Sequence, residues 1–230
     1  MGMDKVNPPR RWTMSKDSAR AHQAETTRRA LIVEARRCFG ARGYHVVGVR
    51  DITAAAGMTR GALAHHFGGK EELFLAVFDE VEREVAAGTA YPEVQLATTN
   101  AWDRFRAGVE FYLDAALRAD VQRITLIDGP AVLGWSRWRA LEEDYYLGMM
   151  VKFLQRAIDD GAIRPQPVET LAHMIFGSVT EAALMIAHSE DAMRKRAEVR
   201  RVLDAFFAGL ERPLEAAGEG ASGAAANDLS

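Results

Sequence analysis

Three features of this 230-residue chain have residue types and spacing that could do chemistry. His65 and His66 are adjacent and could bind a metal. The runs "GMTRG" (57–61) and "GWSRW" (134–138) echo the G-x-S-x-G spacing of a nucleophile elbow. Cys38 could act as a redox thiol. Each has a plainer reading. Neighbouring helical residues point about 100° apart and rarely grip one ion, and no cysteine or acidic cluster stands in register with the histidines. The first run sits in a helix–turn–helix arrangement, and the second lacks its closing glycine and any strand before it. Cys38 flanks an apolar helical stripe and reads as core. No phosphate-binding loop and no H-E-x-x-H occurs. The chain therefore reads as a non-enzyme that needs no cofactor and no metal.

The elements around the histidines explain them better. In "TRRALIVEARRCFGARG" (27–43), Ile32, Ala35 and Phe39 form one apolar stripe, and Gly43 stands where a helix ends. A short helix then spans Val49 to Ala56, with Asp51 in its first turn and Ile52, Ala55 and Ala56 facing inward. Gly57 makes the turn and Thr59 caps a second short helix that carries Leu63 and Phe67 inside. A longer helix starts at Lys70, with Leu73, Val77 and Val81 on its apolar face. Helices this short are stable only when packed. A helix-turn-helix of this kind presents the N-terminal residues of its second helix to the DNA major groove. Those residues are Thr59, Arg60, Gly61 and Ala62, with Arg50, His65, His66 and Lys70 placed for flanking contacts. An arginine reads guanine as a fork, and small residues permit close approach. A lysine opening a helix adds an ammonium to the exposed amides, a phosphate site.

Charge agrees with that division. Residues 1–70 hold 13 Lys+Arg against 5 Asp+Glu, and the remainder 16 against 27, so a basic head precedes an acidic body although net charge is only −3. One cysteine excludes an internal disulfide and fits a reducing compartment. The N-terminal residues lack an apolar core, so a cytoplasmic protein without a secretory signal is expected. The most apolar stretch, "MIFGSVTEAALMIA", reads as too short and too polar to span a bilayer.

The run "GYHVVGVRDITAAAGMTRGALAHHFGGKEELFLAVF" resembles the N-terminal domain of TetR-type transcriptional regulators. The resemblance is carried by Gly43-Tyr44, Asp51-Ile52, Ala56-Gly57, Thr59, Gly61, Leu63, His66-Phe67, Lys70-Glu71 and Leu73, and covers about residues 24–85. Two positions depart. Gly48 stands where Thr or Ser is usual, and Ala64 where a Tyr commonly touches the DNA backbone. The resemblance implies an all-α protein. Residues 1–23 would be a flexible basic arm, 24–70 a three-helix helix-turn-helix domain, 71–214 a helical ligand-binding and dimerisation domain, and 215–230 a disordered tail. It also implies a homodimer on a palindromic operator, released by a small, largely apolar effector. A ligand-independent regulator, an activator and a non-specific architectural DNA-binding protein are the alternatives.

In the body, Asn100 caps an amphipathic helix with Phe105, Val109 and Tyr112 on one face. "QRITLIDGPAVLGWSRW" reads as a helix broken at Gly129-Pro130. Trp102, Phe105, Tyr112, Trp135, Met149 and Phe153 are candidate effector-pocket residues. The last two helices are the candidate dimer interface, through His173, Phe176, Gly177, Thr180, Leu184, Leu203, Phe206 and Phe207.

Overall fold

The computed structural model describes residues 16–90 and 100–211. The described residues are almost all helical, with an isolated bridge between Ile163 and Glu211 as the sole extended pairing among them. The tail 215–230 and most of the arm lie outside the described residues.

Helix α1 spans Lys16–Arg42. It begins inside the segment that reads as an arm, a correction to that boundary. The stretch "KDSARAHQ" holds no glycine or proline and is rich in strong helix formers, so it extends the helix although its residues from Ser18 on are exposed. Polarity mimics disorder there; propensity decides. Further on, Leu31, Ile32, Ala35, Cys38 and Phe39 are buried.

Helix α2 (Val49–Ala55) is capped at Gly48, whose N–H donates to Asp51 Oδ2 at 2.8 Å. Half of a capping box is thus retained without a side chain at the cap. Ile52 and Thr53 are buried, whereas Ala55 faces solvent. The inward face is thus one residue earlier than the alanine spacing implies. Gly57 takes φ +64° in the turn, and Met58 N–H returns to the Thr53 carbonyl at 2.8 Å. Helix α3 (Arg60–Phe67) starts at Thr59, whose hydroxyl accepts from Ala62 N–H at 3.1 Å. Leu63 and Phe67 anchor it.

Helix α4 (Lys70–Ala90) joins head to body, packing on α1 and on α5 (Ala101–Ala115). The next segment corrects another expectation. The short α6 (Ala119–Val121) runs through a π-helical stretch, Gln122–Asp128, into α7 (Gly129–Leu133), so Gly129-Pro130 does not break the chain. Widening to π geometry accommodates a residue without an N–H. Gly129 is needed for packing instead, since a Cβ there would stand 3.0 Å from Trp138 and 3.2 Å from Phe78. The break falls at Gly134, with φ +80°.

Helix α8 (Trp135–Asp159) leads to α9 (Val168–Ala187) and α10 (Ala192–Ala208). At 20 residues, α9 is long and apolar enough to cross a bilayer, contrary to the shorter reading of its sequence. Half of that stretch is buried, with Leu171, Ile175, Val179 and Ile186 in the core.

Candidate nucleic-acid interface and body cavity

The surface of α3 is built from its first turn. Thr59, Arg60 and Gly61 are exposed and Ala62 is half-buried. Because the Thr59 side chain is used as the cap, its position is fixed, and its hydroxyl still has its O–H to donate. Arg50 on α2 and His65 are exposed, and His66 is half-buried. The two imidazoles lie 5.3 Å apart with planes at 71°, diverging as neighbouring helical positions must. Ala64 is exposed on the same helix. Of the expected surface residues, Arg50, Thr59, Arg60, Gly61 and His65 are exposed, and Ala62 and His66 are half-buried.

Lys70 sits differently. Its ammonium lies 4.0 Å from the centre of the Tyr44 ring, where partial burial lowers its pKa against the raising effect of Asp128. It braces α4 on the loop after α1 through this cation–π contact. Tyr44 in turn packs on Phe39 and Phe74, with ring centres at 5.7 and 5.0 Å.

Two polar links tie the head to the body. Tyr44 N–H donates to Asp128 Oδ2 at 2.6 Å, and Arg123 lies 3.5 Å from the same carboxylate. Asp128 is buried, in the π-helical stretch. The second link is a four-charge cluster. Arg36 on α1 meets Glu84 at 2.7 Å and Asp120 at 2.6 Å, and Arg118 meets the same two acids. Hydrogen bonds from Arg36 and Arg118 hold Glu84 below its ordinary pKa. At Asp120 the same bonds overcome a burial effect that would raise it. No spacing in the sequence singles out these groups.

Gly43 is fixed by this junction. Its φ is +81°, and a Cβ would overlap the Arg123 guanidinium. Gly43→Ala is expected to cost about 1–2 kcal/mol in urea denaturation from backbone strain alone, plus the displacement of Arg123. Adding Arg123→Ala should return the steric part only. A wild-type midpoint for the single variant would show that the junction yields freely.

In the body, a cavity opens between α5, α8 and α9. Phe105, Tyr112, Met149 and Phe153 line it, as expected, together with Val109, Met150, Phe176 and Val179. Trp102 does not. Its ring stacks on Phe105 and meets Phe207, and its N–H donates to Glu211 at 2.9 Å. Trp135 does not either, being 57% exposed beside Trp138 at the start of α8. Aromatic content marks both core and cavity, so it cannot separate them. The cavity's room is about 50 Å³. A few waters fit that space, and a larger guest must displace Met149 or Met150, whose side chains are adaptable.

Behind this wall are two buried carboxyl groups that the sequence reading misses. Tyr112 hydroxyl donates to Glu142 at 3.2 Å and Tyr146 hydroxyl to Glu82 at 2.5 Å. Burial pushes Glu82 up to about 6, against lowering hydrogen bonds from Tyr146, Glu142 and Thr125. Burial, then the Glu82 charge, pushes Glu142 well above the usual range. Tyr145 and Tyr146 of α8 both bond to α4, at Asp79 and Glu82, so the cavity wall is tied to the helix that carries the head.

Of the candidate dimer residues, Phe176, Thr180, Leu203 and Phe207 are buried within the chain. Phe176 and Thr180 face the cavity, and Phe207 packs on Trp102 and Phe105. An almost uniformly apolar helix gives no outward face by pattern, which is why the assignment mixes two sides. The exposed side instead holds His173, Met174, Met185 and Phe206, with Gly177 and Leu184 half-buried.

A short helix pair on a three-helix head, with its second helix's first turn exposed and a helical body behind, defines a helix-turn-helix DNA-binding protein. Residues 31–77 match the family described as "Bacterial regulatory proteins, tetR family", and residues 102–210 match "Tetracyclin repressor-like, C-terminal domain". The HTH-type transcriptional repressor AcnR of Corynebacterium efficiens is 30% identical over 156 residues, 67% of this chain and 78% of that protein. The HTH-type transcriptional regulator CymR of Pseudomonas putida is 29% identical over 191 residues, 78% of this chain and 88% of that protein. A TetR-family regulator from Pectobacterium atrosepticum superposes with a TM-score of 0.73 at 33% identity, covering 83% of this chain and 96% of its own. The chain belongs to the TetR family of transcriptional regulators. Its relatives are DNA-binding regulators, not enzymes.

Proposed function

We propose that the protein is a homodimeric repressor that binds a palindromic operator and leaves it when a small, largely apolar ligand enters the body cavity. The observation that carries the DNA side is the exposed first turn of α3, with Thr59 fixed as cap and the Arg60 side chain at the surface. Two such turns in a dimer meet successive major-groove faces about 34–36 Å apart. The observation that supports the ligand side is the tightness of the cavity. A guest that displaces Met149 or Met150 strains α8, and Tyr145 and Tyr146 pass that strain to α4. To move the dimer from mostly bound to mostly free, the ligand must favour the released conformer by about 5.5 kcal/mol.

Fluorescence anisotropy against the DNA flanking the protein's own gene tests this, with random DNA as control at near-physiological salt. Flanking DNA should bind about a thousandfold tighter, with two protomers per site. Equal affinity for both DNAs, with a steep salt slope, would favour an architectural protein instead. On the operator, Arg60→Ala is expected to cost about 1–3 kcal/mol and to relax preference at one base position. A uniform loss across all sequences would reassign Arg60 to the phosphate backbone.

A further inference from the structure

The cavity's inner end has a chemical preference. Tyr112 and Tyr146 line it side by side, with ring centres 5.1 Å apart. Each spends its one O–H on a carboxyl group, Tyr112 on Glu142 and Tyr146 on Glu82. Both phenol oxygens can therefore only accept a further hydrogen bond. Thr180, 2% exposed, also lines the cavity, and its Oγ1 has no hydrogen-bond partner among the described residues. A buried polar atom left unpaired is costly, so Thr180 Oγ1 favours a guest that supplies the missing bond. A carboxylate guest would instead meet acceptor oxygens backed by two acidic groups. The rest of the wall carries Thr89 and Arg104 and is otherwise apolar, with Phe105, Met149, Met150 and Phe176 among its side chains.

We propose that the effector is an apolar molecule carrying a neutral hydroxyl, which donates to the Tyr112–Tyr146 pair while its body lies among the Phe and Met side chains. This rests on the cavity being the effector site. In a wholly apolar cavity the parent hydrocarbon would bind better than its hydroxylated form, because the hydroxyl would lose water without compensation. The acceptor pair reverses that order.

The test uses three matched probes on the full chain by isothermal titration: 4-propylphenol, propylbenzene and 4-propylbenzoate. The phenol is expected to bind roughly tenfold tighter than the hydrocarbon, with the benzoate weakest. Met149→Trp, which fills the cavity from a half-buried position, should weaken all three. Tyr112→Phe should erase the phenol's advantage while leaving propylbenzene bound. Hydrocarbon binding as tight as phenol, with both weakened by Met149→Trp, would overturn the hydroxyl preference and leave the cavity as a ligand site. Tightest binding by the benzoate would overturn it as well, in favour of recognition by Arg104, the cation in the wall. Failure of all three probes at millimolar concentration would remove the cavity reading and this inference together. The wild-type comparison stands even if the Tyr112 variant does not fold.

Discussion

Replacing Met185 and Phe206 together by glutamate is expected to convert the protein to monomers and to abolish operator binding. Met174 and Met185 are 63% and 46% exposed on α9, and Val202 and Phe206 are 69% and 40% exposed on α10. Met174, Ser178, Glu181 and Met185 recur at helical spacing, as do Val202 and Phe206, so each pair of large apolar groups lies on one outward stripe. Single exposed apolar residues are ordinary, but a row of them on two neighbouring helices marks a surface that something covers. A two-fold interface presents the same patch from each copy, so two substitutions place four carboxylates in the contact. Unpaired charges desolvated there cost several kcal/mol each, enough to weaken association on the order of 10⁴-fold or more. Sedimentation should show monomers at concentrations where the wild type is dimeric, and an operator titration should fall to the level of random DNA. Val33→Glu, at a 47% exposed site on α1, should leave the sedimentation unchanged. A double variant that still sediments as a dimer would place the contact on another face. Operator binding that survives in monomers would separate dimerisation from DNA recognition.

The head is legible in the sequence because its information is local. Gly57, Thr59, Leu63 and Phe67 fix the turn, the cap and the buried face within eleven residues, and the structure uses each for the expected purpose. Where the reading fails, the deciding contact comes from far along the chain. Lys70 is drawn over Tyr44, Gly43 is confined by Arg123, and Asp128 receives the Tyr44 amide across 84 residues. Pro130 looks like a break because a standard helix cannot hold it, yet the π-helical stretch before it can. Trp102 and Trp135 look like pocket residues because aromatic side chains serve core, surface and cavity alike. Glu82 and Glu142 stand 60 positions apart on helices whose apolar faces hide them. The single signal within reach was that each interrupts such a face, next to Val81 and Val85 or to Trp138 and Tyr146.

That buried pair yields the second large effect, which depends on pH. Glu82 is held up to about 6 and Glu142 well above the usual range, both by burial first. A carboxyl whose folded pKa is raised binds its proton more tightly in the folded state, so the folded state holds more protons than the unfolded one between the two pKa values. Stability from this source is complete below about pH 4.3, the unfolded value, and is lost as pH rises through about 6 and beyond. Ionising the pair in the core then costs on the order of 1–2 kcal/mol by neutral pH. Glu142→Gln removes one ionisation while keeping the shape, and its amide can donate to Glu82 as the protonated acid does. The variant is therefore expected to melt higher than wild type at pH 8, by about 2–6 °C, and to differ little at pH 4.5. A wild-type Tm that rises from pH 5 to 8 relative to the variant would mean that the pair ionises without penalty, through water reaching it from the cavity. Glu82→Gln should act in the same direction. Because α4 carries Glu82 and α8 carries Glu142, the proton they retain also holds the cavity wall to the helix that bears the head. Operator affinity of the wild type should then weaken on the alkaline side more than that of Glu142→Gln, and equal pH profiles would confine the pair to stability alone.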